Sequence, residues 1–275
     1  MSIILIVFPN CKINLGLNII SKREDGFHNL ETIFYPLMIK DCLEILPTHK
    51  KENNFTITGI PINVDSSQNI CSKAWQLLKL NFPQLSNIQL HLHKTIPTGA
   101  GLGGGSANGA FTLQLLNKLF QLQLTTNQLI NFALQLGSDC PFFIINTPCY
   151  STSRGEQLQP INLSLSNYYF VIVNPQIHIS TATAFSTIQP IKPQKSVSEI
   201  IHQPIETWKE DLVNDFEKNI FLQYPAIEKI KINLYQQGAV YASMSGTGST
   251  VYGIFERESS FVNYFPSNYF VQQVI

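Results

Sequence analysis

The amino-acid sequence predicts an α+β chain arranged as two domains. A strand-rich first half, a second half that reads strand, helix, helix, strand, strand, and a glycine-rich stretch running straight into an apolar helix carry that expectation. At 275 residues the chain is long enough for two domains of ordinary size, and 44% hydrophobic residues suffice for real cores.

The glycine-rich stretch runs Pro97-Thr98-Gly99-Ala100-Gly101-Leu102-Gly103-Gly104-Gly105-Ser106-Ala107-Asn108-Gly109-Ala110 and contains six of the chain's 15 glycines. After it, Ala110, Leu113, Leu116 and Phe120 recur at helical spacing, which predicts a helix opened by Ser106 and running to about Phe120. Glycine permits positive φ and close approach to the backbone. The first N–H groups of a helix lack intrahelical partners, and that end carries the positive pole of the dipole. A phosphate suits such a place. A flexible linker would have continued polar.

Upstream, residues 3–8 predict a short strand, and residues 11–20 alternate. Ile13, Leu15, Leu17 and Ile19 fall on one face and Lys12, Asn14, Gly16 and Asn18 on the other. Asp25-Gly26 predicts a hairpin turn after residues 21–24, with Phe27 and His28 directly behind it. Strands are expected at 30–39 and 42–46, with a short alternating piece at 55–58 in an otherwise irregular 50–66. A helix is expected over 70–80, capped by Asn69 or Ser67, followed by a strand over 87–93 that delivers Lys94. His91 and His93 have a chelating i, i+2 spacing but no third ligand nearby in sequence, which favours a solvated strand face. A second helix begins at Thr126, with Gly137 fit to close it, and Phe142–Ile145 reads as a strand after Ser138-Asp139-Cys140-Pro141.

The polar stretch around 147–160 is the candidate domain boundary, dividing the chain into 1–153 and 154–275. Tyr168–Val173 predicts a strand, 175–207 an extended loop with a short helix near 183–188, and 210–221 and 225–237 two helices, the second closed by Gly238. Paired strands at 240–243 and 250–255 flank Met244-Ser245-Gly246-Thr247-Gly248-Ser249. The aromatic tail (Phe261, Tyr264, Phe265, Tyr269, Phe270) carries no readable function.

Charge and cysteine usage narrow the function classes. Lys+Arg and Asp+Glu are equal at 18, so no basic surplus points to nucleic acid or an acidic membrane. Five irregularly spaced cysteines without a C-x-x-C predict reduced thiols in a cytoplasmic protein, with neither a disulfide framework nor a metal centre. The apolar N-terminus lacks a basic leader region, and no run approaches the roughly 18 residues of a membrane span. The motif G-x-x-x-x-G-K-[ST] is absent, and the dinucleotide fingerprint occurs only loosely, with no acidic residue near position 120 for a ribose.

Three stretches stand in a telling order: Lys12-Ile-Asn14-Leu with Asp25-Gly-Phe-His28; Pro97 to Ala110; and Ser243-Met-Ser-Gly-Thr-Gly-Ser249. They resemble the three motifs of the GHMP small-molecule kinases. Leu136-Gly-Ser-Asp139-Cys-Pro-Phe-Phe and Asn214-Asp-Phe-Glu217 are further matching blocks, so the likeness spans Pro9 to about Phe255. Within the family, Lys22-Arg-Glu-Asp-Gly-Phe-His-Asn-Leu and Gly101-Leu-Gly-Gly-Gly-Ser-Ala-Asn resemble the branch acting on 4-diphosphocytidyl-2-C-methyl-D-erythritol in the non-mevalonate isoprenoid pathway.

The resemblance implies an N-terminal domain like the second domain of ribosomal protein S5, a ferredoxin-like C-terminal domain, and a site between them. It implies transfer of the ATP γ-phosphoryl group to the 2-hydroxyl of that small-molecule substrate, with Mg2+, in a monomer or weak homodimer. Pro97, Gly99, Ala100, Gly101, Leu102, Gly103, Gly104, Gly105 and Ser106 would bind ATP, with Asn69 and Lys94 near the adenine. Asp139 would take the proton of the attacking hydroxyl, and Lys12 would put a cation beside it and the γ-phosphate. Asn14, Phe27, His28, Thr181, Gly246 and Thr247 would serve the substrate.

Each residue also has an ordinary structural explanation. Asp139 could cap a turn at Pro141, Lys12 could be a solvated lysine, and Phe27 a hairpin core residue. Asn69 and Thr181 could be helix caps, and Lys94 a solvated strand end. Three positions depart from the family's commoner pattern: Phe27 replaces tyrosine, Ala107 replaces a second serine, and Gly109 replaces alanine. Gly109 would weaken the helix start by up to about 1 kcal/mol. A second reading is another GHMP kinase, acting on homoserine, mevalonate or a sugar. A third is a non-catalytic nucleotide-binding relative.

Overall fold

The structure is a computed structural model that describes residues 5–62 and 65–275. In chain order the strands are β1 (Leu5–Val7), β2 (Asn10–Lys22), β3 (His28–Lys40), β4 (Cys42–Thr48), β5 (Asn54–Gly59), β6 (Asn87–Lys94), β7 (Cys149–Ser153), β8 (Gln157–Pro160), β9 (Tyr168–Asn174), β10 (Tyr241–Met244), β11 (Val251–Glu256) and β12 (Phe270–Val274). The helices are α1 (Ile70–Asn81), α2 (Gly104–Leu119), α3 (Thr126–Leu136), α4 (Cys140–Ile145), α5 (Thr181–Ser186), α6 (Val197–Ile200), α7 (Trp208–Asp211), α8 (Glu217–Gln223) and α9 (Pro225–Gln236). Residues 3 and 4 of the expected first strand, and 63 and 64 of the irregular stretch, lie outside the described residues.

Two compact units result. The first comprises the N-terminal residues through Cys11, Ile39–Thr98 and Gly103–Thr147; the second comprises Lys12–Met38, Gly99–Leu102 and Pro148–Ile275.

The first unit is one sheet, ordered β1-β4-β6-β5, with four helices. Leu43 and Ile45 of β4 and Ile88, Leu90 and Leu92 of β6 are buried, as the alternation requires. On the opposite face, Thr58 bonds both His91 and His93 at 2.8 and 2.9 Å. Helix α1 links the parallel pair β5 and β6, and its N-terminus is capped by Asn69, whose Oδ1 accepts from the Cys71 N–H at 2.9 Å. Thr125 and Gln128 form a capping box at α3. Helix α2 packs against α1, α3 and α4.

Two local expectations are corrected here. Residues 140–145 are helical, not a strand: Pro141 occupies the first turn, where its missing N–H costs nothing, and a short apolar run fits either structure by periodicity alone. Gly137 ends α3 with φ 165°, extended backbone open to any residue, so it is not a left-handed cap.

The second unit holds two four-stranded sheets. One is ordered β2-β3-β7-β8, so the polar stretch 147–160 forms a hairpin paired to β3. The other, antiparallel throughout, is ordered β10-β11-β9-β12. Numbered by chain position that order is 2-3-1-4, the ferredoxin-like arrangement, with α5–α9 between its first two strands. Where that arrangement has its second helix, residues 257–269 hold none. The aromatic tail takes its place: Phe261 meets Phe255 edge-on at 5.9 Å, and Phe261, Phe265 and Tyr269 stack in succession at 6.4 and 6.4 Å against the core of Val171, Phe216, Ile227, Leu234 and Met244.

The helix expected over 210–221 is broken between α7 and α8. Leu17 N–H donates to Val213 O at 2.8 Å and Asp215 N–H to Leu17 O at 2.9 Å, so the chain pairs briefly with β2. Asn214 then donates through Nδ2 to Met244 O (2.7 Å) and Gly246 O (2.9 Å), and the Asp215 carboxylate accepts from Ile19 N–H (2.7 Å). Side-chain bonding to backbone outcompetes the helix.

Candidate active site

In the second unit, Lys12 on β2 is 3% exposed, which excludes an ordinary solvated lysine. Its ammonium donates to Asn14 Oδ1 at 2.5 Å and to the Gly101 carbonyl at 3.2 Å, and lies 4.9 Å above the Phe34 ring. The strand alternation correctly put Lys12 and Asn14 on one face; both faces of β2 turn out to be buried. Asn14, 2% exposed, is spent on protein partners: its Nδ2 donates to Thr32 (3.0 Å), its backbone N–H to Ser245 Oγ (3.2 Å), and its carbonyl accepts from Tyr252 (2.8 Å).

The glycine loop enters this network through Gly101. At φ 77° it occupies left-handed backbone, and a Cβ there would stand 2.0 Å from the Ser245 carbonyl. Ser245 Oγ donates to Gly101 O at 2.8 Å, and Lys12 N–H donates to Leu102 O at 2.9 Å. Gly246 and Thr247 belong to the same β10–β11 turn; Gly246 is buried and Thr247 half-buried. Pro97 and Ala100 are buried, and Gly99 is exposed.

Also in the second unit, Phe27 stands 53% exposed at the hairpin tip with the Arg154 guanidinium 4.6 Å over its ring, so it is no hairpin core residue. His28 stacks on Phe185 of α5 at 5.1 Å and 26°; partial burial, then Lys22, holds its imidazole below the usual range. Thr181 is exposed at the first position of α5, and Ser180 holds the cap position. Arg154 and Phe185 escaped the sequence reading. Phe185 follows Thr181 by one helical turn, and Arg154 precedes a glycine in a polar turn; neither signal is specific.

In the first unit, Gly103 (φ 68°) precedes α2, which begins at Gly104, two residues before Ser106, and has no side-chain cap. Gly105 is exposed, with open space where a Cβ would be. The first N–H groups of a 16-residue helix are thus presented without a capping side chain. Burial, together with the neighbouring Asp139 carboxylate, pushes the Cys140 thiol up to about 12 against the lowering effect of its hydrogen bond with Ser106. Asp139 is half-buried and precedes α4 in helical backbone (φ −84°, ψ −15°), and its side chain makes no cap bond there, so capping is not its role.

Lys94 is a correction. Its side chain has no exposed surface and is paired with Asp41, while Nζ also donates to Asn108 Oδ1 at 3.1 Å. It is not a solvated strand end. Asp41 accepts from Thr95 N–H (2.8 Å), Ile96 N–H (2.9 Å) and Asn108 Nδ2 (2.8 Å), so the pair ties the end of β6 to the start of α2. A lone aspartate between two strands gave no sequence signal of this. Asn69, 7% exposed, works as the α1 cap.

Gly109 has a packing reason. A Cβ there would stand 2.8 Å from Ile70 Cγ1, so glycine admits α1 against α2. Ala107 is fully buried, and a serine hydroxyl there would need a partner in the core. Among the described residues no helix is long and apolar enough to cross a membrane, and no cluster of three His, Cys, Asp or Glu could hold a metal.

Comparison with known proteins bears on the whole chain. The sequence model of the GHMP kinases N terminal domain matches residues 69–146, and that of the GHMP kinases C terminal matches 196–269. A protein of Parabacteroides distasonis named 4-diphosphocytidyl-2-C-methyl-D-erythritol kinase is 48% identical over 94% of each chain. One of Bacteroides thetaiotaomicron with the same name is 49% identical over 93% of this chain and 94% of its own. A crystal structure of 4-(cytidine 5'-diphospho)-2C-methyl-D-erythritol kinase superposes with a TM-score of 0.78 at 27% identity, covering 91% of this chain and 90% of that one. With motifs, fold and near full-length likeness in agreement, the chain belongs to the GHMP kinases and, within them, to the 4-diphosphocytidyl-2-C-methyl-D-erythritol kinase family.

Proposed function

We propose that this kinase transfers the γ-phosphoryl group of ATP to the 2-hydroxyl of 4-diphosphocytidyl-2-C-methyl-D-erythritol, in the cytoplasm and as a step of the non-mevalonate isoprenoid route. The observation that carries the reading is Lys12: a buried ammonium aimed by Asn14 and bonded to the glycine loop at Gly101, in a chain about half identical to kinases of that name.

Phosphoryl transfer depends mainly on positioning and on neutralising charge. The N–H groups opening α2 at Gly104–Ser106 cradle the β- and γ-phosphates. Lys12 neutralises charge on the transferring group. Asp139 accepts the hydroxyl proton as the substrate oxygen bonds to phosphorus and ADP departs. Phe27, His28 and Thr181 serve the cytidine and erythritol parts of the substrate, with Asn14 acting through Lys12. Magnesium takes oxygen ligands and keeps several waters. The Ser106 hydroxyl, in the first turn of α2, fits that donor chemistry and would hold the ion, which would supply charge neutralisation at the phosphates. The two family matches fall on either side of the proposed boundary between 1–153 and 154–275, whereas the compact units of the fold group Lys12–Met38 and Gly99–Leu102 with Pro148–Ile275.

The test is a coupled ATP-consumption assay with 4-diphosphocytidyl-2-C-methyl-D-erythritol, mevalonate and homoserine. Turnover with the first alone is expected; turnover with either of the others and none with the first overturns the substrate assignment.

A further inference from the structure

The hydrogen bonds around Lys12 have only one consistent direction, and it starts at a residue outside every motif so far discussed. Thr32, on β3, is fully buried. Its Oγ1 lies 2.5 Å from the Gly16 carbonyl and 3.0 Å from the Asn14 amide. A carbonyl only accepts, so the one hydroxyl proton of Thr32 goes to Gly16. The hydroxyl oxygen is then left to accept, and the Asn14 atom facing it must be Nδ2. The other amide atom, Oδ1, is thereby turned to the Lys12 ammonium, which only donates, at 2.5 Å.

Resting on the proposed role of Lys12, we infer that Thr32 is a positioning residue for phosphoryl transfer. Its hydroxyl locks the Asn14 amide in the orientation that holds the Lys12 ammonium. Gly16 contributes geometry: at φ 63° within β2 it adopts backbone that other residues rarely take, and its carbonyl meets the Thr32 hydroxyl. The Asn14 backbone is anchored separately, by Ser245 Oγ at the N–H and Tyr252 Oη at the carbonyl. Losing the Thr32 hydroxyl therefore frees the amide side chain without releasing the strand. A buried amide deprived of its acceptor, beside a carbonyl deprived of its donor, is held by Lys12 alone and positions the ammonium less tightly.

The experiment compares Thr32→Val, nearly isosteric and without the hydroxyl, with Thr32→Ser, which keeps it. Lys12→Ala serves as reference, all in the full chain. Steady-state kcat and KM for ATP and for 4-diphosphocytidyl-2-C-methyl-D-erythritol are measured, with thermal unfolding in parallel. Thr32→Val is expected to lose kcat by about tenfold to a hundredfold, the scale of a misplaced reacting group, with KM for ATP near the wild-type value. Thr32→Ser is expected to recover most of that loss. If Thr32→Val does not accumulate folded, Thr32→Ala carries the same comparison with a smaller side chain. Wild-type kcat in the hydroxyl-free variant while Lys12→Ala is inactive overturns the inference alone. Equal loss in Thr32→Ser and Thr32→Val also overturns it, because the hydroxyl would then not be the element that matters. An active Lys12→Ala overturns the role of Lys12 itself.

Discussion

Lys12 and Asp139 have quite different surroundings. The first is buried among fixed hydrogen-bond acceptors, the second half-buried at the mouth of a six-residue helix. Their proposed roles set different expectations. Lys12→Ala removes a fixed donor to developing charge and should cost about 10²–10³ in kcat. Asp139→Ala removes a proton acceptor and should cost about 10²–10⁴. In both, ATP binding measured by calorimetry should persist, because the α2 N–H groups are untouched; near-wild-type turnover in Asp139→Ala would dismiss it as the base. Gly101→Ala should behave otherwise. Its Cβ meets the Ser245 carbonyl at 2.0 Å and its φ is 77°, so the variant should lose stability, by at least about 1–3 kcal/mol, and ATP affinity together. Denaturant unfolding and KM for ATP read both effects. At this scale the sequence was informative about which residues matter and silent about what holds them. Strand alternation placed Lys12 beside Asn14, but Ser245 and Tyr252, more than 230 positions away in the chain, were reachable only through the fold.

Elements show where local patterns suffice. Helices α1, α2, α3 and α9 stand within two residues of where periodicity and caps put them. The exceptions are short or interrupted: α4, a six-residue apolar run that periodicity cannot classify, and the break before α8, made by Asn214 and Asp215 bonding to backbone elsewhere in their unit. The packing of α1 on α2 makes a prediction that propensity alone gets wrong. Glycine to alanine in a helix gains up to about 1 kcal/mol. At Gly109 the added methyl would meet Ile70 Cγ1 at 2.8 Å, and overpacking of that kind costs about 1–3 kcal/mol. Gly109→Ala should therefore destabilise. A double-mutant cycle with Ile70→Ala, followed by urea unfolding, should show the two changes coupled; additivity would mean that Ile70 is not the obstacle.

For the whole molecule, the buried Lys94–Asp41 pair and the reduced thiols are the informative features. Removing one partner of a buried pair strands the other charge, at a cost of about 3–5 kcal/mol. Lys94→Met should thus unfold at clearly lower denaturant, and Asp41→Leu in the same chain should restore part of the loss, because a pair of apolar residues leaves no charge behind. No rescue would show that Asp41 is needed for the Thr95 and Ile96 amides more than for the lysine. Burial pushes the thiols of Cys71 and Cys140 up to about 11 and about 12, so at pH 8 almost none of either is thiolate. Iodoacetamide should label them slowly in the native protein and rapidly in guanidinium chloride, with mass spectrometry of the peptides as readout.

What was legible in the chain is local: strand alternation, cap residues, and a glycine loop that leads into an apolar helix. The chain also carried the ordered motifs that resemble the GHMP kinases. Each is a pattern within a few residues, governed by backbone sterics and by the periods of helix and strand. The tertiary structure alone decided the fate of buried polar groups. Lys94 could have been a solvated strand end and is paired with Asp41; Asn14 is bonded to Lys12, Thr32 and Ser245. The physical reason is that a polar group removed from water must find its partners inside the protein. Those partners come from segments that only folding brings together.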